Sequence, residues 1–593
     1  MIPIFSLFHL LPLLPISLGQ LTPSVTYNPP NPTQALVPST GSPNAQWSNV
    51  LGNTLWFYDA QRSGRLDNGS YPNRVGWRND SALHDGDDWG VDLTGGWYDA
   101  GDYIKATFPL GFTMFALSWG ALSYGQGYDA AKQTEYLDST IRWGYDWLMK
   151  AHPEDDVLFL QVGSSVIDND YWGGDQNIPT PRPAYPINSS SPGTDAWAST
   201  SSAFSLGALL YSGQVWNTTT SSSPPTSPSL TNSTYSALLL KHAETLYNVA
   251  NSTRPFVSYD ASVPEITDAY GSTGYWDDLC LSALSLAIAT NQSKYYSDAY
   301  FWYTNSSLTN NQKIWSWDKR TVAAYVLFAE TSVARPGLAQ GAGLDVNVTG
   351  WQTEAEGYFD KILNGDFKDA HVTKGGLLYF GEDSADNSLQ PALATATLMF
   401  RYAPLASSSD KTQAYNAFAQ SQIDYILGNN AMSSVYIVGM HPNSPQNPSS
   451  APASGGDNIE DVRNDPPVEA HVIYGGMVGG PLRNDKFWDW RDDWVQTEIA
   501  LDYNANWPSV AAMMIANNSA DPFYVSLAVR TYSTPSGQPC DNALPCHGTS
   551  KGKIAGIVVG VVLGVLLIIA GLVFWKRKQI ARWWRRGYRL PKA

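Results

Sequence analysis

Eight segments of this 593-residue chain repeat apolar residues at three- and four-residue steps, and strand-like alternation is scarce beside them. They run over 108–125, 134–151, 201–212, 235–250, 278–290, 320–331, 391–405 and 412–427. Long loops rich in Gly, Pro and Asp separate them. Such a chain is restricted to an all-α fold of packed helix pairs, with its polar chemistry on the connecting loops. Periodicity leaves open whether the pairs close into a barrel. No clean linker interrupts residues 46–530, so this span reads as one catalytic-sized domain, preceded by an extended Pro/Ser/Thr-rich lead-in at 20–45. Residues 218–234, "TTTSSSPPTSPSLTNST", read as a low-complexity surface loop.

Charge narrows the partner. Acidic residues outnumber basic ones, 53 to 36, for a net charge of −17. Phosphate backbones need a basic face, so a nucleic-acid partner is excluded. The chain also holds 23 Trp and 33 Tyr, a combination that suits a neutral sugar. Rings stack on the apolar faces of a sugar while carboxylates bond its hydroxyls.

The two ends read as membrane and export signals. Residues 1–19 are apolar, short and end in small residues, as a secretory signal peptide does, although Lys and Arg are lacking. Residues 554–574 are 21 uncharged, mostly apolar residues, enough to span a bilayer core of roughly 30 Å as a helix. Eight Lys/Arg and no acid follow in 575–593, a tail that the positive-inside rule keeps cytoplasmic. The expectation is a single-pass membrane protein whose N-terminal domain faces outside, joined to its span by a stalk at 531–553. Ten N-x-S/T sequons agree with that route. Cys540 and Cys546 are spaced to close a small disulfide loop in the stalk, and Cys280 sits in an apolar run as a buried small residue.

The candidate chemistry starts at "GGWYDAGDYIK", residues 95–105. Gly and Asp are poor formers of helix and strand, so this is a loop, and it holds Asp99 and Asp102 three residues apart among aromatic rings. A rigid turn of this kind can hold two ionised carboxylates around one water. Far downstream, in "FWDWRDDWVQTEIALDYNANW", Glu498 follows Trp494 by four residues, and the periodicity places both on one face of a helix. An apolar neighbour raises the pKa of a carboxyl, as a general acid near neutral pH requires. An acid on one side of a sugar bond and a base with its water on the other is the inverting arrangement for glycoside hydrolysis. His84, in "SALHDG", reads as structural.

"FYDAQRSGRL", "DLTGGWYDAGDYIKATFP", "PGTDAWASTSSAFSLG", "WSWDKR", "QIDYILGNNAM", "MVGGPLRND" and "FWDWRDDWVQTEIALDYNA" resemble, in order, the landmarks of glycoside hydrolase family 9. The resemblance covers about 46–520, and Phe487, Asp489, Trp494, Glu498, Ala500, Asn504 and Ala505 occupy the fixed places of its downstream signature. It implies an (α/α)6 barrel and an endo-β-1,4-glucanase that works by inversion. It also implies Asp102 as base, Asp99 as its partner on the water and Glu498 as acid, with Asp489 among the candidate catalytic residues. Many members hold a structural calcium in a Ser-Gly-Tyr-x-Asp-Glu turn. Here "TGYWDD" sets Thr273, Gly274, Asp277 and Asp278 in those places, with Asp318 to complete the shell. The alternative for these aspartates is a helix N-cap. One departure stands out: Ser449 and Ala451 occupy the places of a sugar-binding His and Arg, and His441 lies eight positions early. The rival functions are a hydrolase of mixed-linkage β-glucan and a catalytically weakened wall-binding protein.

Overall fold

The structure, a computed structural model, describes residues 19–67, 73–218, 226–311, 313–530, 532–546 and 576–578. The chain divides into two units, Met1–Gln538 and Pro539–Ala593. Among the described residues, twelve helices of ten or more residues build the first: α1 (Ala45–Ala60), α2 (Thr107–Ala130), α3 (Thr134–Ala151), α4 (Thr194–Tyr211), α5 (Ser233–Ser252), α6 (Trp276–Thr290), α7 (Ser293–Asn305), α8 (Thr321–Ala334), α9 (Val348–Asn364), α10 (Leu389–Tyr402), α11 (Ser409–Ile426) and α12 (Trp507–Ala516). The even-numbered helices form a closed inner ring in the order α2–α4–α6–α8–α10–α12, and α12 packs back on α2. Each odd-numbered helix backs an inner one from outside: α3 on α2, α5 on α4, α7 on α6, α9 on α8 and α11 on α10. The last pair joins α12 to the first helix, α1. Six helix pairs therefore close into an (α/α)-barrel.

Sequence explains the two layers. Every residue of α4 and of α10 is buried, as expected of helices packed on all sides. Some of their hydroxyls turn back to carbonyls of the same helix, as Ser205 Oγ does to Ser201 O at 2.8 Å and Thr397 Oγ1 to Leu393 O at 2.8 Å. Outer helix α3 buries Leu137, Ile141, Tyr145 and Leu148 at three- and four-residue steps, and only Asp146 along it is exposed. The inner ring is tight because α2 carries glycine at its contacts. A Cβ at Gly120 would stand 1.6 Å from Ser509 Oγ on α12, and one at Gly127 would stand 2.0 Å from Ala512 O.

The regular strands are short. β1 (Lys105–Ala106), β2 (Leu158–Val162) and β3 (Ala184–Ile187) form an antiparallel sheet, and β4 (Ala370–Val372) pairs with β5 (Leu378–Phe380). The lead-in lies against the barrel rather than apart from it. Leu21 N–H donates to Asp138 at 2.8 Å, Tyr27 Oη donates to Asn53 Oδ1 at 2.6 Å, and Ser39 N–H donates to Asp521 at 3.1 Å. Cys280 is fully buried in α6.

In the second unit Cys540 and Cys546 are joined by a disulfide, with Cα atoms 4.9 Å apart. Among the described residues no helix is long and apolar enough to cross a membrane. The segments read as a signal peptide, 1–19 apart from its last residue, and as a span, 554–574, lie outside the described residues.

Candidate active site

The N-terminal ends of the inner helices open at one end of the barrel, where their preceding loops meet. Three of those segments are woven together by backbone hydrogen bonds. Asp99 N–H donates to Ile104 O at 2.9 Å and closes the Asp99–Ile104 loop. Leu501 N–H donates to Asp99 O at 2.9 Å, Ala451 N–H to Gly101 O at 2.7 Å, and Ser449 N–H to Thr497 O at 3.0 Å. Gly101 is required at this crossing, since a Cβ there would lie 2.1 Å from Ser449 O. The local fold thus brings residues four hundred positions apart in the chain into one cleft.

That cleft has a volume of about 830 Å3, and Asp99, Asp102 and Glu498 all line it. Glu498 differs from its expected setting. The helix Trp494–Thr497 is one turn long and ends before it, leaving Glu498 in extended backbone, ψ 147°. Trp494 and Glu498 nonetheless face the same cleft, with Trp494 about two-fifths exposed at its wall (41%). Burial, reinforced by the Asp99 charge, pushes the Glu498 carboxyl up to about 8, against a backbone hydrogen bond from Gly101. Burial and then Asp502 push Asp99 up to about 8. Its Oδ2 accepts the Tyr270 hydroxyl, and its Oδ1 has no hydrogen-bond partner among the described residues. Asp102 is likewise raised well above the carboxylate range, by burial first and then by Asp168, Glu498 and Asp99. The sequence reading has both aspartates ionised around one water, and burial at both works against ionisation. Like charges crowded in a dry cleft leave these acids holding protons more readily than isolated ones.

Further acids that sequence reading missed also line the cleft, among them Asp168 and Asp502. Asp168, in "GSSVIDND", looks like any loop acid, and only the fold brings it beside Asp102. Asp502 follows Glu498 by four residues, a spacing that offered a signal. Asp489 does not line the cleft. It is half-buried, and its oxygens accept Gln446 N–H at 2.7 Å and Asn447 N–H at 3.0 Å, so it anchors the segment leading to Ser449.

Ser449 lines the cleft beside Glu498, to which it is bridged in parallel. Ala451 is buried in a cluster with Tyr98, Tyr103 and Trp172. His441 takes neither place: it is fully buried, its Nδ1 accepts Asn443 N–H at 3.0 Å, and it does not line the cleft. His84 is exposed and bonds Asp87 at 3.0 Å.

A calcium ion takes six to eight oxygens turned to one point. The candidate ligands are turned elsewhere. Asp318 accepts the Thr273 N–H and hydroxyl, both at 2.7 Å. Asp277 Oδ2 accepts Arg320 N–H at 2.7 Å and the Thr321 hydroxyl at 3.2 Å. Asp278 faces Arg320 Nε at 3.0 Å, with both side chains fully buried. Gly274 O accepts the Ser272 hydroxyl at 3.1 Å. Among the described residues no group of three or more His, Cys, Asp or Glu side chains is arranged to hold a metal ion. The Arg320 guanidinium supplies positive charge among these aspartates. The helix-cap alternative also changes form. Tyr275 is the N-cap of α6 and makes no side-chain cap bond, while Asp277 and Asp278 sit in the first turn. Negative charge there is favoured by the helix dipole.

With this geometry in view, the comparisons decide the family. The family model for "Glycosyl hydrolase family 9" matches residues 47–511. The chain belongs to glycosyl hydrolase family 9. It is therefore a glycoside hydrolase. Endoglucanase 18 of Oryza sativa subsp. japonica is 34% identical over 493 residues, covering 80% of this chain and 90% of that one. Endoglucanase A of Bacillus pumilus is 32% identical over 471 residues, covering 79% of this chain, but the match spans only 66% of the bacterial protein's length. Among solved structures, the endoglucanase of the termite Nasutitermes takasagoensis superposes with a TM-score of 0.68 at 32% identity, over 79% of this chain and 99% of that one. The endoglucanase CelQ of Clostridium thermocellum, solved with cellobiose and cellotriose, gives a TM-score of 0.66 at 28% identity, over 84% of this chain and 73% of that one.

Proposed function

We propose that the chain is an inverting endo-β-1,4-glucanase that cuts internal bonds of cellulose or a related soluble β-glucan. The observation that carries this reading is the meeting of Asp99, Asp102 and Glu498 in one open cleft lined also by Trp172, Trp317 and Trp494. The rings offer stacking faces for successive glucose units. Glu498, held protonated by burial, donates its proton to the glycosidic oxygen as the bond to the anomeric carbon breaks. A water on the opposite face attacks that carbon and gives its proton to Asp102. Asp99, fixed by Tyr270, accepts the second hydrogen of that water and orients it. Inversion follows because attack and departure occur on opposite faces.

The same reading places the enzyme at a cell surface, exported by 1–19 and anchored through 554–574, with Cys540–Cys546 close before the span. The apolar run and the basic tail after it support the anchor.

NMR of fresh digests on a panel of β-1,4- and mixed-linkage glucans, with Asp102→Asn as control, tests the function. The expected result is an initial α-anomer from β-1,4-glucan, absent in the control. An initial β-anomer would overturn inversion, and release from mixed-linkage glucan alone would move the substrate class.

A further inference from the structure

The loop that carries Asp99 and Asp102 is fastened by a residue to which the reaction above gives no task. Asp168 Oδ2 accepts the N–H of Tyr103 at 2.9 Å and of Ile104 at 3.0 Å, the two residues after Asp102. Asp168 is itself held in place. It ends the short helix Ser165–Asp168, its N–H donates to Ser164 O at 2.9 Å, and its carbonyl accepts Tyr171 N–H at 2.9 Å. It is 5% exposed and lines the cleft, and its carboxyl comes within hydrogen-bonding reach of Asp102. The other charged or titratable groups that act on it are Arg182 and Tyr171. Arg182 is committed elsewhere, through Nε and Nη2 to Asp85 at 2.8 and 3.3 Å. The groups acting on Asp102 are Asp168, Glu498 and Asp99, all acidic.

We propose that Asp168 is a positioning residue for Asp102: its bonds to Tyr103 and Ile104 fix the loop, and its like charge makes Asp102 a strong enough base to take a proton from the attacking water. The inference rests on the reading of Asp102 as base. A carboxylate of ordinary acidity is a poor acceptor for a water proton, and a neighbouring carboxylate raises its affinity. The two groups then titrate as a pair. The upward shift of Asp102, in which Asp168 is the largest contributor after burial, agrees.

The test is the pH profile of kcat/KM on cellopentaose for the full chain and three variants, with folding checked by circular dichroism. Asp168→Asn keeps a carbonyl oxygen for the two N–H groups but loses the charge. Its acid limb is expected to move to lower pH. One pH unit below the wild-type half-maximum it should then keep about a fivefold larger fraction of its own maximum than wild type does. Asp168→Glu keeps the charge, and its acid limb should stay with wild type. Asp168→Ala loses both features and should fall at least about tenfold at the optimum while showing the same limb shift as Asn. An Asn profile that superimposes on wild type after scaling overturns the inference, and so does a Glu limb that moves as Asn's does. If Asn fails to fold, the Glu and Ala limbs decide. Wild type inactive on every β-glucan would sink the functional reading and this inference together, whereas active wild type with unmoved limbs sinks the inference alone.

Discussion

Glu498 is a buried acid with acids for neighbours, and that setting fixes its pH behaviour. Only its protonated form can donate to the leaving oxygen. Its carboxyl is pushed up to about 8, so the basic limb of kcat/KM should fall as pH rises through about 8. A basic limb below pH 6 would show that another group supplies the proton. Glu498→Gln removes the proton and should lower turnover of natural glucan by about 10²–10⁴-fold. A dinitrophenyl cellobioside, whose leaving group needs little protonation, should lose far less. Equal losses on both substrates would count against Glu498 as the acid. Ala451 stands in the place where the family resemblance sets a sugar-binding Arg. The position is enclosed by Tyr98, Tyr103 and Trp172, so a guanidinium there has no open path to a sugar.

The inner ring depends on close approach between elements. Gly120→Ala forces a methyl group into Ser509, and overpacking of this kind costs about 1–3 kcal/mol. A lowered Tm that Ser509→Gly partly restores is the expected outcome, and an unchanged Tm would show that α2 and α12 give way freely. At the turns before α6 and α8, Arg320 already balances Asp277, Asp278 and Asp318. The expected Tm is therefore the same in EGTA as in calcium, and a rise with calcium would restore the metal. Part of this was legible in sequence. Eight of the twelve barrel helices announced themselves, because their apolar residues recur in one stripe or all round. The other four had reasons to hide. α1 carries Asn49 and Asn53 among its apolar residues, α7 is crowded with aromatic rings, α9 mixes acids into its stripe, and α12 has only ten residues. In the cleft, Asp99, Asp102 and Glu498 stood out through their motifs. Asp168 and Tyr270 did not, because their roles come from three-dimensional neighbours that no local spacing encodes.

At the scale of the whole molecule, every proposed catalytic group lies in the Met1–Gln538 unit. Truncation before Lys551 should release a soluble protein with wild-type kcat/KM on soluble glucan, checked by size-exclusion chromatography and reducing-sugar assay. A folded but inactive product would make the segment proposed as a span part of the working enzyme.

The pairing of α1 with α12 also sets the order of events during synthesis. The first helix leaves the ribosome early, but its partner is completed only at Ala516. At roughly 5–20 residues per second, about 20–80 s separate the completion of α2 from that of α12. Through that interval the faces of α1 and α2 that α12 will cover have no native partner. This enzyme should therefore lean on chaperones more heavily than a bundle of the same size built from neighbouring helices, and slowing translation late in the chain should lower its yield more than slowing it early.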